Sequence, residues 1–340
     1  MFRRENDIMI LTGAGCSVEA GISESKKMIE KLEELIKNNN DWKEHSDLYY
    51  YVKSSILYSD GIRGKFDDNF DIERLVNVLS ELEKKEHIVL YPFIGSWNPR
   101  LLEVIDPEFK KIKEFKQKIV EQLKRWVQID DYKVAEYYKN FFYFQSEYNH
   151  SLKIFSLNYD LCFEKNKPEN KDIERGFDSN TRTWDCARFE RREDYEPPSI
   201  YLYKLHGSID WKRDENKGNI LREVEAIPET PDLIFGTNYK MQYIDPYLFY
   251  AHEFRKYSLE SKVILAIGYS FRDAHINGIL RQSLQNNRDR KIVIVSPDAN
   301  EIVERFSQLK KQIIPCKEKA KDFLDKLSIN LLESIVKESR

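Results

Sequence analysis

The chain has 340 residues, 41% of them hydrophobic and 33% charged, with a formal net charge of -3. That size suits one large α/β domain, or one domain with a sizeable insertion, and the composition is that of a globular, soluble chain. The near-neutral charge gives no global electrostatic ground for direct nucleic-acid binding, and no run of about 18 apolar residues predicts a membrane span.

The amino terminus, MFRRENDIMI, lacks the apolar core and small-residue cleavage site of a signal peptide, so a cytoplasmic protein is expected. Ile8–Leu11 with Thr12 reads as a short buried strand. It runs into Gly13-Ala14-Gly15-Cys16-Ser17, and a helix is expected from near Ser17 through ESKKMIEKLEELIKNN, where Met28, Ile29, Leu32, Leu35 and Ile36 recur at helical spacing. Glycines let a backbone approach a ligand closely, and a helix amino terminus offers unpaired N–H groups to a phosphate. Ser17 suits either a helix cap or a phosphate contact. Val18 occupies the slot of a third glycine, and no Lys-Ser/Thr pair comes after it, so this is not an ATP-type phosphate loop. Two glycines alone fit a tight turn without any ligand equally well.

From Asp41 to about His150 glycine is scarce, and apolar residues recur every three or four positions in DIERLVNVLSELEKKEHI and EFKKIKEFKQKIVEQLKRWVQI. This predicts an all-helical insertion over 41–150, broken at YPFIGSWNP by Pro92 and Pro99. Its basic stretches, such as Lys110–Lys118, alternate with acids and read as solvated helix faces. Its aromatics, Tyr49–Tyr51 and Phe141–Phe144, fit a helical core or a partner surface.

Strand-like runs return at LKIFSLNYD, IYLYKLHG, DLIFG, KVILAIGYS and KIVIVSPD. Apolar runs that end in small or polar residues are the mark of parallel strands covered on both faces and delivering loops at their carboxyl ends. A helix over Ala299–Leu309 and a helical tail over 316–340 close the chain. The expected fold is α/β: a Rossmann-like doubly wound parallel sheet over 1–40 and 151–315, interrupted by a large all-helical insertion.

The strand ends carry the candidate chemistry. Asn158 and Asp160 come just after a strand and point the same way, with Tyr159 opposite. An amide and a carboxylate together can hold a carboxamide, a ribose or a water, or simply turn the chain. His206 precedes Gly207 at another strand end, where an imidazole can shuttle a proton. Asp210 and Trp211 beyond it form a wall or pack. Gly268 and Ser270 make a second phosphate or ribose candidate, and Arg272 and Asp273 fit a pair. Ser296 and Asp298 sit where an adenosine ribose can be held, with Asp298 also suited to cap the last helix. The four cysteines, Cys16, Cys162, Cys186 and Cys316, include no CxxC pair, which points to reduced thiols and no zinc site.

In this order, these segments resemble the sirtuin family. Gly13, Ala14, Gly15, Ser17, Gly21 and Ile22 are similar to its Gly-Ala-Gly-x-Ser-x-x-x-Gly-Ile, and Ser156-Leu157-Asn158-Tyr159-Asp160 to its Thr-Gln-Asn-Ile-Asp. His206-Gly207 and Gly268-Tyr269-Ser270 match its His-Gly and Gly-Thr-Ser. The resemblance implies NAD as substrate, cleaved between nicotinamide and ribose. It implies that Gly13, Ala14, Gly15 and Ser17 hold the pyrophosphate and that Asp160 meets the carboxamide. Asn158 and His206 would be catalytic, and Gly268, Ser270 and Ser296 would line the adenosine half. Ser208–Ile267 holds no cysteine, so the family's zinc module is missing and no metal is expected. Ser23 and Glu24-Ser25-Lys26 replace Pro and Asp-Phe-Arg, which argues against acetyl-lysine peptides. The insertion and GYSFRDAHIN look instead like the sirtuin-like NAD hydrolases of prokaryotic antiphage defence. Those deplete NAD as homo-oligomers or with partners such as an ATPase or a short Argonaute.

Overall fold

The computed structural model describes residues 2–64, 70–83, 99–105, 109–190, 196–214, 219–235, 244–306 and 309–338. The break expected at YPFIGSWNP lies outside the described residues except for Pro99, which opens a helix Pro99–Val104.

Seven strands form one parallel sheet: β1 (Ile8–Thr12), β2 (Leu152–Ser156), β3 (Ile173–Glu174), β4 (Ile200–Lys204), β7 (Val263–Ile267), β8 (Lys291–Val295) and β9 (Ile313–Cys316). Their spatial order is β3-β4-β2-β1-β7-β8-β9. β5 (Trp211–Asp214) and β6 (Ile220–Glu223) pair separately as an antiparallel hairpin. All five residues of β1, β2, β4 and β7 are buried, as strands covered on both faces must be. The register runs Thr12 beside Ser156 on one flank of β1 and beside Ile267 on the other, and Ser156 beside Lys204. The carboxyl ends of β4, β2, β1 and β7 therefore lie level.

The expected doubly wound sheet is present. Periodicity did not reveal two of its strands, the two-residue edge strand β3 and β9, nor the separate hairpin β5–β6. Pro315 sits inside β9, which is an outermost strand of the sheet, where a residue without an N–H is tolerated. DLIFG, expected as a strand, forms only an isolated bridge between Gly207 and Leu233, and its Gly236 lies outside the described residues.

The contact pattern divides the chain into two compact units, one of Met1–Ile22, Val127–Ile234 and Lys240–Arg340, the other of Ser23–Trp126 with Phe235–Tyr239. The boundaries differ from the expected 1–40 and 41–150. Residues 127–150 join the sheet unit because Tyr138 and Phe141 pack on Phe163, each with ring centroids 4.8 Å apart, and Tyr148 donates to the carbonyl of Arg4. The helix Lys139–Tyr148 ends at Asn149, whose left-handed conformation (φ 56) turns the chain into β2. The helix Ile329–Glu338 belongs to the same unit, where Glu333 accepts from the Phe2 amide.

The other unit is helical, as its periodicity predicts. Its first helix, Ser25–Asn38, buries Met28, Ile29, Leu32 and Ile36. Ile72–Glu83 buries Leu75, Val76 and Leu79, and Lys110–Val127 buries Ile112, Phe115, Ile119 and Leu123. Each stripe has the three-to-four spacing of an amphipathic helix. Tyr49 is buried against Phe115 while Tyr50 is exposed. In the sheet unit Phe141, Phe142 and Phe144 are fully buried while Tyr143 is exposed. Most of the aromatics in question are thus core. No helix among the described residues is long and apolar enough to cross a membrane.

Candidate functional site

The chain steps from β1 to β2 on one side and returns to β7 on the other, so the winding reverses at β1. Such a reversal leaves a crevice beyond the carboxyl ends of the strands. Every residue singled out in the sequence sits at one of these ends, in a row: His206 after β4, Asn158 and Asp160 after β2, Gly13–Ser17 after β1, Gly268 and Ser270 after β7, Ser296 after β8. Four strand spacings separate the first from the last, about 19 Å.

The glycines have a structural reason to be glycine. The Gly15 amide donates to the Gly268 carbonyl at 2.9 Å, and the Gly13 amide to Ile267 at 3.0 Å. A Cβ on Gly13 would lie 2.8 Å from the Gly268 oxygen, and one on Gly268 (φ 64) would lie 2.1 Å from the Cys16 nitrogen. The two loops pack backbone on backbone at the reversal. The α-helix expected from near Ser17 is delayed: two 3-10 turns, Ala14–Cys16 and Val18–Ala20, come first, and the helix starts at Ser25. Gly21, at φ 90, closes the second turn.

Ser17 is fully buried and caps nothing. Its Oγ donates to Asp160 Oδ2 at 2.7 Å and accepts from Asn158 Nδ2 at 3.0 Å. It also lies 2.8 Å from the Tyr138 hydroxyl. A serine has one proton, already given to Asp160, so Tyr138 is the donor. Burial, and then the proximity of Cys16 and Asp160, hold the Tyr138 phenol well above its ordinary range, which keeps that proton in place. Asp160 Oδ1 accepts from the Cys162 amide at 3.0 Å, and the Lys204 ammonium binds the Asp160 carbonyl. Asn158 and Asp160 do point the same way, both to Ser17, while Tyr159 donates elsewhere, to the Ile234 carbonyl at 2.9 Å. Each member of this network is held by the others, so the amide and the carboxylate have fixed directions.

His206 is held through its main chain, and its buried ring faces a carboxylate. Its carbonyl accepts from Ile234 at 2.9 Å, and Gly207 comes next at φ 86, where a Cβ would strike the Asp232 carbonyl at 2.2 Å. Its Nε2 lies 3.5 Å from Asp273 Oδ2, with both side chains buried. Asp273 therefore does not pair with Arg272, which is exposed; it caps the helix Ala274–Asn286 and faces the imidazole. Beyond His206, Asp210 and Trp211 pack. Arg175 Nη2 donates to both Asp210 oxygens at 2.9 Å, and Trp211 is buried beside Phe177. Burial pushes the Asp210 carboxyl up, but Arg175, Ser208 and Lys204 outweigh it and hold it below its ordinary value.

The far end of the row is different. Ser270 is exposed, and its carbonyl accepts from Arg305 at 3.0 Å. Ser296 is half-buried and its hydroxyl accepts from the Asp298 amide at 3.2 Å. Asp298 stands at the helix start, but its side chain makes no cap there. Sequence reasoning missed Tyr138, and it named Asp273 only as a partner for Arg272. Nothing local flags Tyr138, which lies 121 residues from Ser17, whereas Asp273 shows the cap pattern of an acid just before an apolar helix. No group of three or more His, Cys, Asp or Glu side chains that could hold a metal occurs among the described residues.

Residues 152–316 match the family model described as SIR2-like domain. That stretch contains β2 through β9 and the loops bearing Asn158, Asp160, His206, Gly268, Ser270 and Ser296. No curated protein matches the chain. Among solved structures, a Sir2 homolog–NAD complex is 16% identical, with a TM-score of 0.45 over 98% of this chain and 90% of that one. A Sir2 homologue mutant bound to 2′-O-acetyl ADP-ribose is 15% identical, with a TM-score of 0.43 over 98% and 91%. A mutant Sir2 homologue with ADP-ribose is 14% identical, with a TM-score of 0.44 over 98% and 91%.

Proposed function

We propose that the chain is a sirtuin-like NAD glycohydrolase that releases nicotinamide and leaves ADP-ribose. The observation that carries this reading is the row itself: an oriented amide, a carboxylate and an imidazole at one end, and small polar loops at the other, over a span suited to an extended dinucleotide. The SIR2-like match over the loops that hold these residues supports it.

The chemistry asks little of the protein. The bond between C1′ and the pyridinium nitrogen breaks, its electron pair leaves with nicotinamide, and C1′ becomes cationic. Water adds to C1′, and one proton is released. In this reading Asn158 orients the ribose or the water, Asp160 meets the carboxamide beside the developing cation, and His206 takes the proton. Gly13, Ala14 and Gly15 present backbone to the pyrophosphate. Ser17 serves from beneath, through the amide of Asn158. Gly268, Ser270 and Ser296 line the adenosine half. Asn158 is 7% exposed and His206 3%, so NAD must displace part of their cover.

The biological role that suits such an activity is NAD depletion in antiphage defence, with the chain acting as a homo-oligomer or with an ATPase or Argonaute-type partner. The test is NAD consumption with product identification, on the purified chain alone and with the product of a neighbouring gene. Nicotinamide and ADP-ribose in equal amounts are expected. Label from NAD appearing on protein would instead mean ADP-ribosyl transfer. NAD bound tightly and never turned over, with every partner present, would make the chain a sensor.

A further inference from the structure

The contact between the loop after β4 and the loop after β7 gives Asp273 a second task. We propose that Asp273 is the positioning residue for His206: one carboxylate oxygen fixes the imidazole through Nε2, so that Nδ1 is the basic nitrogen. The inference rests on the reading of His206 as the base in NAD hydrolysis.

The two carboxylate oxygens are divided between two tasks. Oδ1 accepts the His275 and Ile276 amides at 2.9 and 3.3 Å, capping a 13-residue helix. Oδ2 faces His206 Nε2 at 3.5 Å, an ion-pair distance. The cap fixes the carboxylate on a rigid element, and the main-chain bond of His206 to Ile234 fixes where its side chain starts. The imidazole is buried against the free carboxylate oxygen. Which ring nitrogen of a histidine carries the proton is set by the partner of the other. A carboxylate on Nε2 keeps the proton there and stabilises the imidazolium formed when Nδ1 accepts a second one. Tyr159, from the loop after β2, also faces the ring, at 6.3 Å between centroids. The other charged groups near this loop are engaged elsewhere, Lys204 with Asp160 and Glu164, Asp210 with Arg175.

Asn is as good a helix cap as Asp, so Asp273→Asn removes the charge and keeps the helix start. The expected result in the full chain is a kcat lower by about 10²-fold, the low end of what a positioned base contributes, with KM within about twofold. The acid limb of the pH–rate profile should move to lower pH by about one unit or more. An imidazole readout needs no turnover: the chain has 6 histidines, and the His206 signal is assigned by its loss in His206→Ala. In Asp273→Asn that signal should titrate at lower pH. Parent-like titration of His206 together with a parent-like melting temperature in Asp273→Asn would overturn the assignment. If His206→Ala itself hydrolyses NAD at the parent rate, the reading of the base fails instead. The His206 titration still decides whether Asp273 controls the ring.

Discussion

At the ends of β4, β2 and β1, polar side chains are buried and bonded to one another. Ser17, Tyr138, Asn158 and Asp160 form one network, and His206 faces Asp273. Apart from Asp273, which reaches across to His206, the polar groups singled out at the ends of β7 and β8 are exposed or half-buried, and their bonds are to local backbone or through it: Ser270 through its carbonyl to Arg305, Ser296 to the turn just after it. Buried networks are costly when incomplete and rigid when complete. A site that must hold a reacting sugar needs that rigidity, whereas one that only holds the far half of a dinucleotide can rely on backbone and a few hydroxyls. On the proposed reading, the difference puts reaction at one end of the row and binding at the other.

The largest test of this division is at the buried end. His206→Ala and Asn158→Ala should each lower nicotinamide release by at least about 10²-fold, with the melting temperature little changed for His206→Ala. Parent-rate hydrolysis by both would break the comparison outright. Next comes the hinge between the two ends. Gly268→Ala forces a Cβ onto the Cys16 nitrogen and a left-handed φ onto alanine. The two effects together should cost roughly 3 kcal/mol, read in denaturant unfolding. Gly21→Ala, with the same sign of φ but open space around it, should cost about 1 kcal/mol. Equal losses at the two glycines would mean that φ alone, and not loop-on-loop packing, sets the requirement at 268.

Ser17→Ala sharpens the comparison from inside the network. It removes the donor to Asp160 and the acceptor of Tyr138 and Asn158, so a stability loss of about 1–3 kcal/mol is expected, with kcat falling because the amide of Asn158 loses its anchor. Were Ser17 a phosphate ligand, KM would rise at unchanged stability. Thiol labelling reads the same burial without mutation. Burial pushes the Cys16 thiol up to about 12 and, with the Asp160 charge, raises Cys162 further, while Cys186 is exposed. At about pH 8, well below 12, Cys16 and Cys162 stay protonated, and alkylation should reach Cys186 first and these two only on unfolding. Rapid labelling of Cys16 in the native chain would show the reacting end to be open.

Much of this was legible in the sequence, for identifiable reasons. β1 and β7 are nearly pure apolar runs, and β2, β4 and β8 are apolar but for single lysines and a terminal serine, because both their faces are covered; the helices beyond residue 40 advertise their buried stripes. The site residues come at strand ends, where turn chemistry makes polar residues conspicuous. What periodicity could not supply was partnership. Ser17 looked like a cap because serine before a Lys/Glu-rich helix usually is one, yet two 3-10 turns delay that helix to Ser25. Asp273 looked like the partner of its neighbour Arg272, while its partner in space is 67 positions away. β3 and β9 escaped notice because short edge strands carry little pattern, and 127–150 looked like the rest of the insertion because its aromatics recur at the same helical spacing.

The smallest expected effects lie at the exposed end, and they complete the comparison. Ser270→Ala removes a hydroxyl from an exposed loop whose bond to Arg305 is made by the carbonyl, so stability should change by less than about 0.5 kcal/mol. Ser296→Ala deletes an acceptor for the Asp298 amide, costing about 1 kcal/mol or less, since water can replace it on a half-buried turn. If these loops only bind, each substitution should raise KM for NAD by a few-fold and leave kcat unchanged, because interactions made equally in ground and transition states do not alter the chemical step. A fall in kcat without a change in KM at either serine would place part of the reaction at these exposed loops, and the division between the two ends would no longer hold.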